Sequence, residues 1–259
     1  VVYTQMAMTA YSKYGYKLLK LPVGGAFRES APVLTAAEDI DVLFIGRPYN
    51  PRPEIVNFLI DNGINVVVYG SEKWKDHIPS DFYHGFLDNE VYNETLARAK
   101  IVLGFMEAPD DGPTHINAKV FDACKNSKFA ICTYYPPFYL DYGLVEDVSI
   151  VTYRSHRELL EKVNFYLRHP EKRKAIASAM HSQITEHFDY AVLYRQLFNQ
   201  IEDLYARKER ALHDTKAHGT KSSEGGSLRW NVLKPCRTVV YDPFAAGVCR
   251  INDQFGKPI

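Results

Sequence analysis

The sequence lacks an excess of charge of either sign: 31 lysines and arginines balance 31 aspartates and glutamates over 259 residues. No global field draws it to nucleic acid or to an anionic membrane, which leaves room only for a local basic pocket. Cysteine is scarce. Cys124, Cys132, Cys236 and Cys249 form no CxxC and meet no paired-histidine spacing, so no metal site is expected. Cys124 and Cys132 sit inside apolar runs and read as small core residues. A signal peptide and a membrane-length apolar run are both missing, so the expectation is a cytoplasmic protein without a membrane span. No Asp-x-Asp motif stands at a strand end. The chain also begins without Met, as a piece of a longer polypeptide would.

What is present is ordinary globular composition, 46% hydrophobic and 24% charged, with 18 tyrosines. Tyrosines fill half-buried positions and also suit stacking against a base or sugar. Residues 1–39 are punctuated by Gly24, Gly25 and Pro32 and read as a connector or the remnant of a preceding domain. From Asp41 the pattern changes. Val42 to Ile45 is a continuous apolar run closed by Gly46, as in a strand buried on both faces. Pro53 opens a helix with Ile55, Val56, Leu59 and Ile60 on one stripe, and Gly63 closes it.

Alternation of this kind continues. A strand over 64–69 ends at Gly70, and Asn89 is placed to cap a helix carrying Tyr92 and Leu96. A strand over 101–105 precedes a helix from about Thr114 to Asn126, and strands over 129–133 and 149–153 follow. Ser155 and Glu158 form a capping-box pair ahead of Leu159, Leu160, Val163 and Leu167. Pro170 opens one further helix and Asp189 caps another. Strands alternating with helices predict an α/β, Rossmann-like parallel sheet covered on both faces, over residues 40–205. Its ligand crevice belongs at the strands' carboxyl ends. Residues 206–259 read as a charged stretch, a Gly/Ser linker and a tail that packs back or leads to a further domain. In that tail Asp242-Pro243-Phe244-Ala245-Ala246-Gly247 faintly looks like a methyltransferase cofactor loop, but it lacks the further glycine of such a loop and reads rather as an edge strand packed back on the domain.

The helix after the third strand carries the most informative spacing. His115, Lys119 and Asp122 fall on one face, with Ile116, Val120 and Ala123 on the adjoining one. Free N–H groups at its start and the helix dipole favour a phosphate. Lys119 would neutralise a diphosphate and Asp122 would accept ribose hydroxyls. The same spacing also fits a surface helix with a solvated polar face. Arg47 and Arg52, after the first strand, are placed to bind phosphate oxygens, or one of them is a plain surface arginine. Gly46 is followed by Arg-Pro rather than by further glycines, so a GxGxxG dinucleotide loop is missing.

From Asp41 to about Tyr205 the chain resembles the C-terminal, nucleotide-sugar-binding half of GT-B glycosyltransferases of the group 1 type, and most of all their spore-maturation-protein-like branch. The likeness is carried by Asp41-Val-Leu-Phe-Ile-Gly46, by Val66-Val-Val-Tyr-Gly70 with Trp74, and by Asn117-Ala-Lys-Val-Phe-Asp122-Ala. Ser155-His-Arg-Glu-Leu159 and Tyr166-Leu-Arg-His-Pro170-Glu171 complete it.

The resemblance implies a donor site made of Asn117, Lys119, Asp122, Thr114, Arg47, Arg52, Gly46 and Gly70, with Gly85-Phe86-Leu87 cradling the base. Where the family reads Asn-x-Arg-x-Phe-Glu, this sequence has Lys119 and Asp122. That keeps the charge, shortens the reach and loses the guanidinium fork. The family's Cys-Gly is replaced by Cys124-Lys125. Asp110 and Asp111 match the loop facing the donor sugar, and with His115 they are the in-chain candidates for acid/base work.

The expected function is transfer of a sugar from a UDP- or GDP-sugar to a glycan or other acceptor, without metal or other cofactor. An additional domain would hold the acceptor. The alternatives are a non-catalytic nucleotide-sugar-binding module and an unrelated flavodoxin-like binding domain.

Overall fold

A computed structural model describes residues 19–25, 27, 37–106 and 117–217, together with positions 8, 9, 12 and 14. The chain divides into two units, 1–211 and 212–259. Of the second, only the helical residues through Ala217 are described.

Strands β1 (Ile40–Ile45), β2 (Val66–Tyr69), β3 (Ala99–Gly104), β4 (Ala130–Thr133) and β5 (Val151–Tyr153) form one sheet in the order β2-β1-β3-β4-β5. Every pairing is parallel, with Val42 against Val66 on one side and Ile101 on the other. The helices between strands are α1 (Arg52–Asp61), α2 (Asn89–Arg98), α3 (Ala118–Lys125), the short α4 (Pro137–Leu140) and α5 (His156–Arg168). Two longer ones, α6 (Pro170–Phe188) and α7 (Tyr190–Ala217), follow.

Successive strand residues point to opposite faces, so an apolar run supplies two cores at once. Val42 and Phe44 join Ile55, Val56 and Leu59 of α1 and Leu159 and Val163 of α5. Leu43 and Val102 pack with Leu96 of α2 and with Val120 and Ala123 of α3 on the other face. Helix α6 serves both: Ile176 and Ala177 belong to the first core, Met180 and Ile184 to the second.

Element boundaries follow local chemistry. Pro53 lies in the first turn of α1, and Gly63 takes a positive φ of 79° just beyond its end. Ser155 Oγ accepts the Glu158 N–H at 3.2 Å, while Glu158 reaches back to the Arg154 N–H at 2.8 Å, one residue earlier than a standard capping box. Asp189 caps α7 through the Ala191 N–H and also accepts the Phe27 N–H, both from within the core. With Phe27 buried, part of the expected connector is built into the domain.

Some expectations needed correction. Helix α2 is capped from position 88 rather than 89, and Asp88 makes no side-chain capping bond. Residues 72–76 and 80–82 form 3₁₀ turns that the periodicity did not predict. The fifth strand begins at Val151, because Ser149 is used in a turn where its Oγ accepts the Val145 N–H. The charged stretch after Tyr205 continues as helix to Ala217.

Candidate functional site

The chain runs from β1 outward to β2 and then returns past β1 to β3. The connections therefore leave opposite sides of the β1–β3 junction and open a crevice at the carboxyl ends of those strands. On the β1 side, the Gly46 N–H donates to the Tyr69 carbonyl, and the Gly46 carbonyl accepts the Trp74 indole N–H at 2.8 Å. Gly70 has φ of 150°, and a Cβ there would stand 2.0 Å from the Gly46 oxygen. Only glycine allows these two strand ends to close together.

The loop after them is stitched to β2. Its Gly85 carbonyl accepts the Gly70 N–H and its His84 N–H donates to the Val68 carbonyl, both at 2.9 Å. Within it Leu87 is buried, whereas Phe86 is 80% exposed.

The two arginines separate. Arg47 is exposed at the end of β1, its Nη1 donating to the Tyr49 hydroxyl at 3.0 Å. Arg52 is buried, its guanidinium lying 5.2 Å from the Tyr49 ring centroid and 5.7 Å from that of Phe105. Its Nη1 donates to the Arg47 carbonyl, so Arg52 braces the turn that carries Arg47. The reading of a plain surface arginine does not hold for Arg52.

On the β3 side, Gly104 permits α3 to approach, since a Cβ there would meet Val120 and the Cys132 sulfur at 2.7 Å. Asn117 is the N-cap of α3. Its Oδ1 accepts the Lys119 N–H at 2.9 Å and its Nδ2 donates to the Phe105 carbonyl. The helix thus starts later than expected, and one of its leading N–H groups is used by its own cap rather than left for a ligand.

Lys119 and Asp122 do come together, and the structure adds a partner from another helix. The Tyr92 hydroxyl donates to Asp122 Oδ2 at 2.7 Å and accepts from Lys119 Nζ at 2.9 Å. The ammonium also sits 4.3 Å from the Tyr92 ring centroid. Burial, then the adjacent Asp122 charge, push the Tyr92 phenol well above its ordinary range.

Val120 and Ala123 are fully buried, as the helical wheel requires. Asp110, Asp111, Thr114, His115 and Ile116 lie outside the described residues, as do Cys236, Cys249 and the 242–247 segment. Cys124 and Cys132 are buried, and burial pushes the Cys124 thiol up to about 12.

Sequence reasoning named Tyr92 only as a packing residue. It also passed over Arg154, which follows β5 and stacks on Tyr134 at 3.7 Å from the ring centroid. A groove of about 840 Å³ lies elsewhere, between α5, α6 and the turn before β5, lined by Val148, Phe165 and Ile176. None of the described candidate residues borders it. Among the described residues no helix is long and apolar enough to cross a membrane.

Comparison with known proteins agrees with this fold. The sequence model described as glycosyl transferase-like matches residues 52–199. Among solved structures, sucrose-phosphate synthase from Thermosynechococcus elongatus is similar at a TM-score of 0.60 and 12% identity, over 80% of this chain and 58% of that one. HepE from Anabaena, solved in complex with UDP and glucose, is similar at 0.60 and 13% identity, over 78% and 62%. A glycosyltransferase from Rickettsia africae is similar at 0.58 and 8% identity, again over 78% and 62%. At these identities the likeness is one of fold, and it supports a GT-B-type fold. The chain spans about six-tenths of the length of these structures. No curated protein matches the sequence.

Proposed function

The chain belongs to the glycosyl transferase-like family, and from that premise we propose that it binds a nucleoside-diphosphate sugar and takes part in transferring the sugar to a glycan or other acceptor. The observation that carries this reading is the meeting of Lys119 and Asp122 in the first turns of α3, beside the β1–β3 crevice. A cation at a helix N-terminus stabilises the charge that develops on a departing diphosphate, and Asp122 accepts hydrogen bonds from ribose hydroxyls. Arg47, at the end of β1, supplies a second cation.

In this reading the Gly85–Leu87 loop lies against the base, and Asp110 and Asp111 contact the sugar. The acid/base group is one of Asp110, Asp111 and His115, or comes from an acceptor-binding domain, as in the C-terminal half of a GT-B enzyme of the spore-maturation-protein-like branch. The diphosphate is neutralised by protein cations, so no metal takes part, and the reaction runs in the cytoplasm. UDP is the first nucleotide to try, because the fold relative HepE was solved with UDP and glucose.

The test is a titration of UDP, GDP and their sugars, followed by thermal unfolding. A nucleotide at 100 times its dissociation constant adds about 2.7 kcal/mol of stability. A chelator should leave the affinity within tenfold, or about 1.4 kcal/mol. Absence of stabilisation by any nucleoside diphosphate overturns the reading, and a larger loss in chelator overturns its metal-free part. Turnover with sugar acceptors separates an enzyme from a binding module.

A further inference from the structure

We propose that Tyr92 is a positioning residue of this site, its hydroxyl fixing where Lys119 and Asp122 present their charges to a nucleoside diphosphate. The proposal rests on the nucleotide-sugar reading above. Lys119 and Asp122 are three residues apart on α3, and their charged atoms stand 3.5 Å from each other, beyond a good direct hydrogen bond. Both side chains are about a third exposed, at 36% each, and a lysine stem of that kind samples many rotamers.

The phenol oxygen fills the gap. It gives its one proton to the carboxylate and turns a lone pair to the ammonium, while the ring face supports the same ammonium from the side. The two charges dictate the direction of both bonds, so the arrangement has one low-energy sense.

Tyr92 itself is anchored. It lies in the first turn of α2, half-buried against the core that includes Leu96 and Val120. A rigid element thus sets the position of two charges on its neighbour. Lys119 keeps two further N–H donors and Asp122 a second oxygen, which are the groups that a phosphate and a ribose hydroxyl require. Held this way, the pair is ordered before the ligand arrives, and less freedom is lost on binding.

The experiment is isothermal titration of the full 259-residue chain with UDP and with GDP, in four forms: unaltered, Tyr92→Phe, Lys119→Ala and both together. Phenylalanine keeps the ring and its packing and removes only the hydroxyl. Tyr92→Phe should weaken binding of the preferred nucleotide about tenfold, as expected for a lost hydrogen bond to charged groups. Lys119→Ala should weaken it more. In the Lys119→Ala background the Tyr92 change should add less than about twofold, because its effect passes through Lys119.

Unaltered affinity in Tyr92→Phe overturns the proposal, and so does an equal loss in both backgrounds, the mark of a general fold defect. If Lys119→Ala binds as the unaltered chain does, or neither nucleotide binds at all, the nucleotide-site reading fails and takes this proposal with it. A loss in Lys119→Ala beside an unaffected Tyr92→Phe sinks the proposal alone.

Discussion

At the amino ends of β1 and β3 each cation faces a carboxylate, whereas at the carboxyl ends the cations rest on tyrosines. Arg98 makes a two-point bond to Asp39, Lys100 pairs with Asp41, and Glu38 bridges Lys128 and Arg173 at 2.8 and 2.7 Å. At the other end Arg47 donates to the Tyr49 hydroxyl, Lys119 lies over Tyr92 and Arg154 stacks on Tyr134. Among the described residues no carboxylate lies within ion-pair distance of Arg47 or Arg154. A carboxylate cancels a cation's charge. An aromatic face supports it for about 0.5–1 kcal/mol at an exposed site and leaves the charge in place. One end of the sheet is therefore electrostatically closed and serves stability; at the other Lys119 shares its charge with Asp122 at 3.5 Å, while Arg47 and Arg154 keep theirs available to an anion.

The sharpest way to break this contrast is at the closed end. Arg173 is buried, donates to the Tyr166 and Leu167 carbonyls at the end of α5, and pairs with Glu38. Arg173→Leu should cost about 3 kcal/mol of unfolding free energy, the scale for breaking a buried pair. Nucleotide affinity of the folded protein should stay unchanged, as urea unfolding and titration together would reveal. Acid sharpens the same point. Burial works against charge on Glu38, but the bonds and charges of Lys128 and Arg173 outweigh it and hold the carboxyl below its ordinary 4.5. A lowered folded value means stability that is present above pH 4.5 and lost as the pH falls through the folded value. The unaltered chain should lose stability below that pH more steeply than Arg173→Leu. Parallel acid profiles would remove Glu38 from the account.

Much of the strand and helix framework was legible in the sequence, because it rests on local chemistry, whereas the ion pairs of the closed end were not, since Glu38 meets Arg173 across 135 residues. The apolar run of β1, Pro53 and Gly63 around α1, Ser155 ahead of α5 and Asp189 ahead of α7 each act within a few residues. The chemistry of the open end was legible only in part. Lys119 and Asp122 share a helix face and could be paired from spacing, whereas Tyr92 meets Asp122 from 30 residues away. Phe27 reaches Asp189 across 162 residues. No periodicity encodes contacts of that range. The burial of Arg52 was not legible for a related reason, since it depends on three rings brought together by separate elements.

A smaller effect probes the open end directly. Arg47 is exposed and its removal leaves no buried partner stranded, so Arg47→Ala should change stability by less than about 0.5 kcal/mol. Its loss from the crevice should weaken UDP binding about threefold, the scale of one exposed charge contact, and flatten the salt dependence of affinity. Stability and affinity would then respond to Arg47 and Arg173 in opposite patterns. Equal UDP affinity with and without the Arg47 guanidinium, at low salt, would detach Arg47 from the site.

The smallest expected change lies where α3 ends, on the closed side. The Cys-Gly that the resemblance implies is replaced by Cys124-Lys125-Asn126, and Ser127 takes the left-handed conformation, φ 50°. The Lys128 N–H donates to the Ala123 carbonyl and the Ser127 N–H to that of Cys124, at 2.8 and 2.9 Å. That pair of bonds is the Schellman ending, in which the left-handed position normally belongs to glycine. A serine there carries about 1 kcal/mol of backbone strain. Replacing it with glycine relieves the strain but frees the unfolded chain, which takes back about 0.5 kcal/mol. Ser127→Gly should therefore stabilise the fold by about 0.5 kcal/mol, seen as a small rise in the urea midpoint at constant slope. Because Ser127 lies at the far end of α3 from Lys119, UDP affinity should not move. A change in affinity would mean that the helix end and the site are coupled through α3, and that the two ends of the sheet are less independent than their charge patterns imply.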